Sequence, residues 1–435
     1  MMKRTLLTLV SVLFSAQLAF ALVFGDNLNR PDNADLGANF TPYTGLPAQL
    51  VGNKIRPTTA NVHGIEFYTG TAPGGAQYCQ ITISTFNGTG SEGGCCVRCT
   101  ASASDRTGYF VYASKTGGGY TTLIDEQNSG VGGASASENA TTWVAGDVLT
   151  VTANVSVINV YRNQAFLLTL TDATITTGTG GVNMYTFATL GELEIDDFLL
   201  GDLVSFVNAG TEGSGASGDC TAGAPASPAN DDVWILVHHG SDQVAVTADA
   251  AWTQIAQGNG GGTTSRLAAF WFRYAGSTPS LVVSHSGGQS PICGIAAFRG
   301  ARTTGSPINA VGSILGGTDA SMETNSVTPT KAATMVLALA GAADDNNHTA
   351  VANYSIALED SGAGTNGAFV TTAGNPDGSV GLQYTQHTSG ATNPTITQAA
   401  ADPWATLMVA LERAEAHLGQ SLAYEPRPMA PMLIR

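Results

Sequence analysis

Hydrophobic and polar positions alternate with a period of two along much of this chain. In "DVLTVTANVSVINVYRN" (147–163), Leu149, Val151, Ala153, Val155 and Val157 share one face of an extended strand, while Thr150, Thr152, Asn154 and Ser156 share the other. That pattern predicts a long strand or hairpin with one wet side. "QITISTF" (80–86) alternates in the same way, and "GYFVYAS" (108–114) is aromatic and β-branched. Further on, "DVWILVHH" (232–239), "RLAAFWFRYA" (266–275), "PSLVVSHS" (279–286), "ICGIAAFRG" (292–300), "ATMVLALAGA" (333–342) and "WATLMVALER" (404–413) predict strands. Several are apolar at consecutive positions, as expected where both faces of a strand are covered.

Composition supports an all-β chain. Of 435 residues, 43% are hydrophobic, enough for packed cores in two or three domains, whereas only 11% are charged and 53 are Gly, which favours short strands and tight turns. The Gly- and Ala-rich stretch 208–231 shifts in composition, so it is read as a linker or the loop-rich edge of a second domain. The net charge of −16 leaves no basic stripe to neutralise phosphates, so nucleic acid is excluded as a partner.

Residues 1–21 carry Lys3 and Arg4, an apolar run and the small-x-small site Ala19-Phe20-Ala21, the signature of a signal peptide and export to the extracellular space. The alternative is an N-terminal apolar segment retained as an anchor or packed in an assembly. Six cysteines suit an exported chain: Cys79, Cys95, Cys96 and Cys99 in the first half, Cys220 and Cys293 in the second, all disulfide candidates. On a regular strand Cys95, Val97 and Cys99 would face one way, Cys96 and Arg98 the other. No second C-x-x-C or nearby His completes a zinc set.

Most other motifs resolve into structure. Gly88-x-Gly90-x-x-Gly93 and Gly213-x-Gly215-x-x-Gly218 match a dinucleotide loop, but no helical pattern follows either one. His238 and His239 are adjacent on a strand, and His285 and His387 lack ligand spacing, so no catalytic metal is implied. No G-x-S-x-G occurs. Sequons stand at Asn39, Asn87, Asn139, Asn154, Asn347 and Asn353. The segment 26–40 is dense in Asp and Asn without calcium-loop spacing; turn chemistry accounts for it, and a structural calcium ion, with Asp26 and Asp197 as first ligands, is the one cofactor considered.

"FGDNLNRPDNADLGANF" (24–40), "TWVAGDVLTV" (142–151), "VYRNQAFLLTLTD" (160–172) and "EIDDFLLGDL" (194–203) resemble laminin-G-like, concanavalin-A-like jelly-roll domains. Residues 203–413, with "SFVNAGTEGSGASG" (205–218), "GIAAFRGA" (294–301) and "WATLMVALERA" (404–414), resemble a β-sandwich module found in phage structural and secreted bacterial proteins. The resemblance implies two tandem β-sandwiches: a jelly roll over 22–202, then a second jelly-roll or immunoglobulin-like sandwich over 203–413, with a Pro-rich tail over 414–435.

Glucanases sharing the jelly roll carry an E-x-D-x-x-E strand whose glutamates act as nucleophile and acid about 5 Å apart. Here Glu194 and Asp196 match the first two places and Leu199 fills the third, so the acid is missing. The expectation is a non-catalytic structural or adhesion protein, extracellular or on a virion surface, recognising glycans or surface proteins and able to form a homo-oligomer or particle. A secreted polysaccharide-active enzyme using Glu194 and Asp196 is the alternative. Tyr109, Tyr112, Tyr120 and Trp143 are the aromatic candidates for a sugar face.

Overall fold

A computed structural model describes residues 23–414, apart from 27, 44–45, 101, 103, 216, 332, 345–346, 359–368, 372–377 and 388–389. The signal-peptide reading of 1–21 and the tail beyond Ala414 fall outside the described residues. All elements in the described part are strands, and all ladders are antiparallel.

The first sandwich pairs two sheets. In one, the strands run in spatial order Ala165–Thr171, Val157–Arg162, Val148–Asn154, Gln77–Phe86, Leu193–Asp202, Lys54–Pro57 and Ala48–Val51, with Val23–Asp26 also on Leu193–Asp202. In the other they run Val131–Glu138, Gly119–Asn128, Gly108–Thr116, Glu92–Cys99, Thr179–Tyr185, His63–Tyr68 and Phe40–Pro42. Alternation drives the assembly: Cys79, Ile81 and Ile83 from the first sheet meet Cys95, Val97, Val111 and Val182 from the second in one core. The run 147–163 forms a hairpin whose turn resets the pattern. Val155 takes a positive φ of 48° and is 76% exposed, and the core face resumes at Ile158 and Val160, which corrects the single apolar face expected through Val157.

The cysteine run also departs from strict alternation. Arg98 has φ 53°, and the ladder to Thr179–Tyr185 shifts register there, a bulge that turns Cys99 to the side of Cys96. Cys96 and Cys99 are bridged, and pack with Ile65, Phe67 and Phe110 outside the second sheet, while Cys95 and Val97 point into the core.

The second sandwich is built twice from one plan. Its first sheet runs Ser205–Ala209, Ile292–Arg299, Val233–Gly240, Arg266–Arg273, Thr253–Asn259, with Gly213–Ser214 also on Ile292–Arg299. Its second sheet repeats that connectivity as Ile308–Val311, Trp404–Leu411, Met335–Ala342, Gly378–Gln386, Ser355–Leu358, with Leu315–Gly317 also on Trp404–Leu411. The words "GIAAFRGA" and "LMVALERA" occupy matching strands, so each repeat supplies one sheet to a shared core of Val233, Ile235, Phe298, Leu337, Leu407 and their neighbours. Small sheets cap both outer faces: Cys220–Thr221, Val282–Ser284 and Thr247–Ala248 on one side, Ser321–Glu323 and Thr395–Thr397 on the other. Strands such as Met335–Ala342 and Trp404–Leu411 are therefore buried on both faces, as their unbroken apolar text predicts. Gly213–Ser214 and Cys220–Thr221 make the stretch 208–231 an edge of this sandwich, and Cys220 is bridged to Cys293.

The two sandwiches meet on the outer face of the first sheet. The Arg413 guanidinium lies 3.7 Å from the Tyr78 ring centroid and donates to the Gln80 side chain at 3.0 Å. Tyr78 donates to the Ala414 carbonyl, Tyr161 to that of His387, and Leu199, Leu203 and Ala333 close the contact. Thr150 and Thr152, expected on a wet side, are buried: tertiary packing, not water, covers this polar face.

Candidate functional site

The outer face of the second sheet of the first sandwich is not covered in this way. Register across its ladders places His63, Tyr185, Glu92, Ser114 and Thr121 in one row, with Ile65, Asn183, Gly94, Tyr112 and Leu123 in the next. A third row, Phe67, Gly181, Cys96, Phe110 and Asp125, is closed at one end by Tyr43 and Leu46. Arg106 reaches over it, its guanidinium 4.8 Å from the Phe110 ring. Five strands, with the connection that carries Arg106, thus bring one His, two Tyr, an Asn, two carboxylates and an Arg onto one surface.

These groups are partly withdrawn from water, and their ionisation shows it. Burial, with Arg106 nearby, lowers the His63 pKa and favours neutral imidazole, whose ring lies tilted against Tyr185 with centroids 4.8 Å apart. Burial raises the Glu92 pKa against the opposing effects of a 3.3 Å hydrogen bond from Ser114 and the Arg106 charge. Burial, then the Glu92 and Asp125 charges, pushes the Tyr112 phenol up, so it remains a neutral donor. Gln127 donates to Asp125. Three buried polar atoms have no protein partner: His63 Nδ1, Asn183 Oδ1 and Arg106 Nε. Buried hydrogen-bonding groups are ordinarily satisfied, so this face holds capacity for a polar ligand or ordered water. At its rim Phe187 is 54% exposed and packs against Gly90, where a Cβ would meet its ring at 2.9 Å.

Of the four aromatic candidates, Tyr112 belongs to this face. Tyr109 and Trp143 are corrections: both are fully buried on the core side, Tyr109 donating to the Asp172 carbonyl and Trp143 to Thr122. Tyr120 packs half-buried against Phe86, with Lys115 nearby. His63, Glu92, Arg106, Asn183 and Tyr185 went unrecognised in the sequence. Ladder register joins all of them but Arg106, which precedes the strand Gly108–Thr116. The alternation of "TGGVNMY" already put Asn183 and Tyr185 opposite the core residues Val182 and Met184, whereas that of "HGIEFY" put His63 on the face of the apolar Ile65 and Phe67.

The acidic strand behaves differently. Glu194 is held by Lys54 at 3.3 Å and Thr85 at 3.0 Å, and Leu199 is buried in the contact between sandwiches. A bulge accommodates Asp196 and Asp197, the latter at φ 48° with a pKa raised by burial and by Asp196 and Asp26. Asp26 lies beside it through pairing with Phe198, but its carboxylate takes two bonds from Arg30 and one from the Leu28 amide. Calcium takes six to eight oxygens; here the Asp26 carboxylate is engaged by Arg30, and among the described residues no group of three or more acidic, His or Cys side chains is placed to hold a metal. Asp32 and Asp35 bind the Gly52 and Gly37 amides, which is turn chemistry.

In the second sandwich, a groove of about 350 Å³ opens between the edge strands Thr253–Asn259 and Ile308–Val311, over Trp271 and Ile308. Gln254 and Asn309 on its walls already bond to Gln257 and Thr330. His238 and His239 do point to opposite faces, His238 against His285 with ring centroids 4.9 Å apart and His239 toward Ser265.

No family model and no curated protein matches the chain. Among solved structures it is similar to the carbohydrate-binding module CBM66 from Bacillus subtilis, at 11% identity over 38% of this chain and 94% of that one, TM-score 0.30. It is similar also to a legume lectin-like domain from Entamoeba histolytica (12% identity, 37% and 88% covered, TM-score 0.28) and to a Bacillus licheniformis β-glucanase (9%, 41% and 97%, TM-score 0.30).

Proposed function

We propose that this protein is a non-catalytic surface protein that recognises glycans through the open face around Tyr112, Tyr185, Asn183, Glu92 and Arg106. The observation that carries the reading is the coexistence there of two tyrosine rings and three buried polar atoms without protein partners. A sugar ring offers an apolar face to stack on an aromatic and hydroxyls to bond to amide, carboxylate and guanidinium groups, which is what this surface presents. The laminin-G-like resemblance agrees with it. Against hydrolysis stand the pairing of Glu194 with Lys54 and the burial of Leu199 where a second glutamate would be needed. The signal-like N-terminus and the second disulfide favour an extracellular setting, with a virion surface as the other.

Affinity electrophoresis through gels containing different polysaccharides tests this. At least one polysaccharide should retard the wild type, and Tyr112→Ala or Asn183→Ala should lose about tenfold or more in affinity with an unchanged melting temperature. Retardation unaffected by either substitution would move the site elsewhere. Release of reducing sugar that disappears in Glu194→Gln would replace the reading with the enzymatic one.

A further inference from the structure

We propose that Cys79 and Cys95 form a third disulfide site, which links the two sheets of the first sandwich through its core. Cys79 lies on Gln77–Phe86 in one sheet and Cys95 on Glu92–Cys99 in the other; both point inward and are fully buried. Neither is bridged, and the Cys95 thiol is near enough to add to the upward shift that burial gives the Cys79 pKa. Cys79 Sγ also lies 3.7 Å from the carbonyl of Gly181, the neighbour of Val182, which pairs with Cys95.

Facing sheets ordinarily stand about 10 Å apart, whereas a disulfide requires Cα atoms about 4.4–6.8 Å apart. Glycines draw the sheets together here. A Cβ on Gly180 would meet Leu200 of the opposite sheet at 2.4 Å, and one on Gly93 would meet Leu193 at 2.6 Å. The text "GGCC" and "TGG" thus narrows the sandwich where the two thiols face.

The oxidant is a small-molecule disulfide such as oxidised glutathione. One cysteine thiolate attacks it, releasing a glutathione thiolate and leaving a mixed disulfide. The second cysteine thiolate attacks the protein sulfur, the Sγ–Sγ bond forms, and a second glutathione leaves with the electron pair. Each cysteine gives up one proton to solvent. Burial raises the Cys79 thiol pKa and excludes solvent, so exchange belongs to folding or opening of the core, and the finished bond is shielded from reductants.

The test uses the full-length chain, folded in a glutathione redox buffer, then denatured in guanidinium with an alkylating agent and mapped without reduction. The expected result is no alkylated cysteine, an intact mass lower than that of the reduced chain by one hydrogen per cysteine, and a peptide pair joined through Cys79 and Cys95. Alkylation of Cys79 and Cys95 in chains that retain Cys96–Cys99 and Cys220–Cys293 would overturn the proposal. So would a cross-link from Cys79 to Cys96 or Cys99. If the redox buffer yields no soluble protein, reduced protein is treated with diamide in enough guanidinium to open the core, returned to buffer and mapped identically, and is judged by the same outcomes.

Discussion

The two sandwiches bury similar apolar strands, but they dispose of their outer faces differently. In the second, both faces are capped by small sheets, and four layers leave buried histidines and a groove whose polar walls are already bonded. In the first, one outer face is taken by the second sandwich and the other stays open, with partly buried His, Tyr, Asn, Glu and Arg side chains on it. Capacity for a ligand therefore follows from which face of a sheet lacks a partner, not from how many polar residues its sequence carries. Thr150 and Thr152 are polar and buried; Tyr112 and Asn183 are joined into a surface by register.

Acidification should separate the two halves most strongly. Burial lowers the pKa of His238 and holds His239 and His348 at about 3, so the unfolded chain gains protons below about pH 6.5 that the folded second sandwich refuses. His239 and His348 then each cost about 2 kcal/mol between pH 7 and pH 5, and His238 adds to the loss. Glu66 in the first sandwich acts oppositely. Burial raises its pKa to about 7, so its folded form is destabilised as pH rises through that value, and acidification to pH 5 returns about 2 kcal/mol. Calorimetry at the two pH values should show the second sandwich's transition falling while the first holds or rises; a parallel fall of both would break the comparison.

Arg413→Ala should come next, at about 2–3 kcal/mol, because it removes the cation stacked on Tyr78 and bonded to Gln80. The expected outcome is a splitting of the thermal transitions as the halves uncouple, with the open face unchanged. Glu66→Gln should stabilise the first sandwich by about 1–2 kcal/mol at pH 8 and remove Glu66's own share of the gain on acidification, read by chemical denaturation at both pH values. Lys54→Ala should move stability by under about 1 kcal/mol, since its partner Glu194 is also held by Thr85 and the lysine is about a third exposed.

Much of the fold was legible in the chain. Period-two text marked the strands of the first sandwich, and continuous apolar text marked those covered on both faces in the second, because burial on one or two faces is written residue by residue. Leu199 in place of a glutamate was likewise visible without coordinates. Other features depended on positions distant in sequence. The bulge at Arg98 turned Cys99 toward Cys96, the turn at Val155 ended an apparent apolar face, and the core claimed Tyr109 and Trp143. His63, Glu92, Tyr112 and Asn183 became neighbours only through ladder register, and Cys79 met Cys95 only through the packing of two sheets. Local periodicity records whether a side chain faces inward or outward, while the identity of whatever stands opposite it depends on long-range register and on which outer face another domain covers.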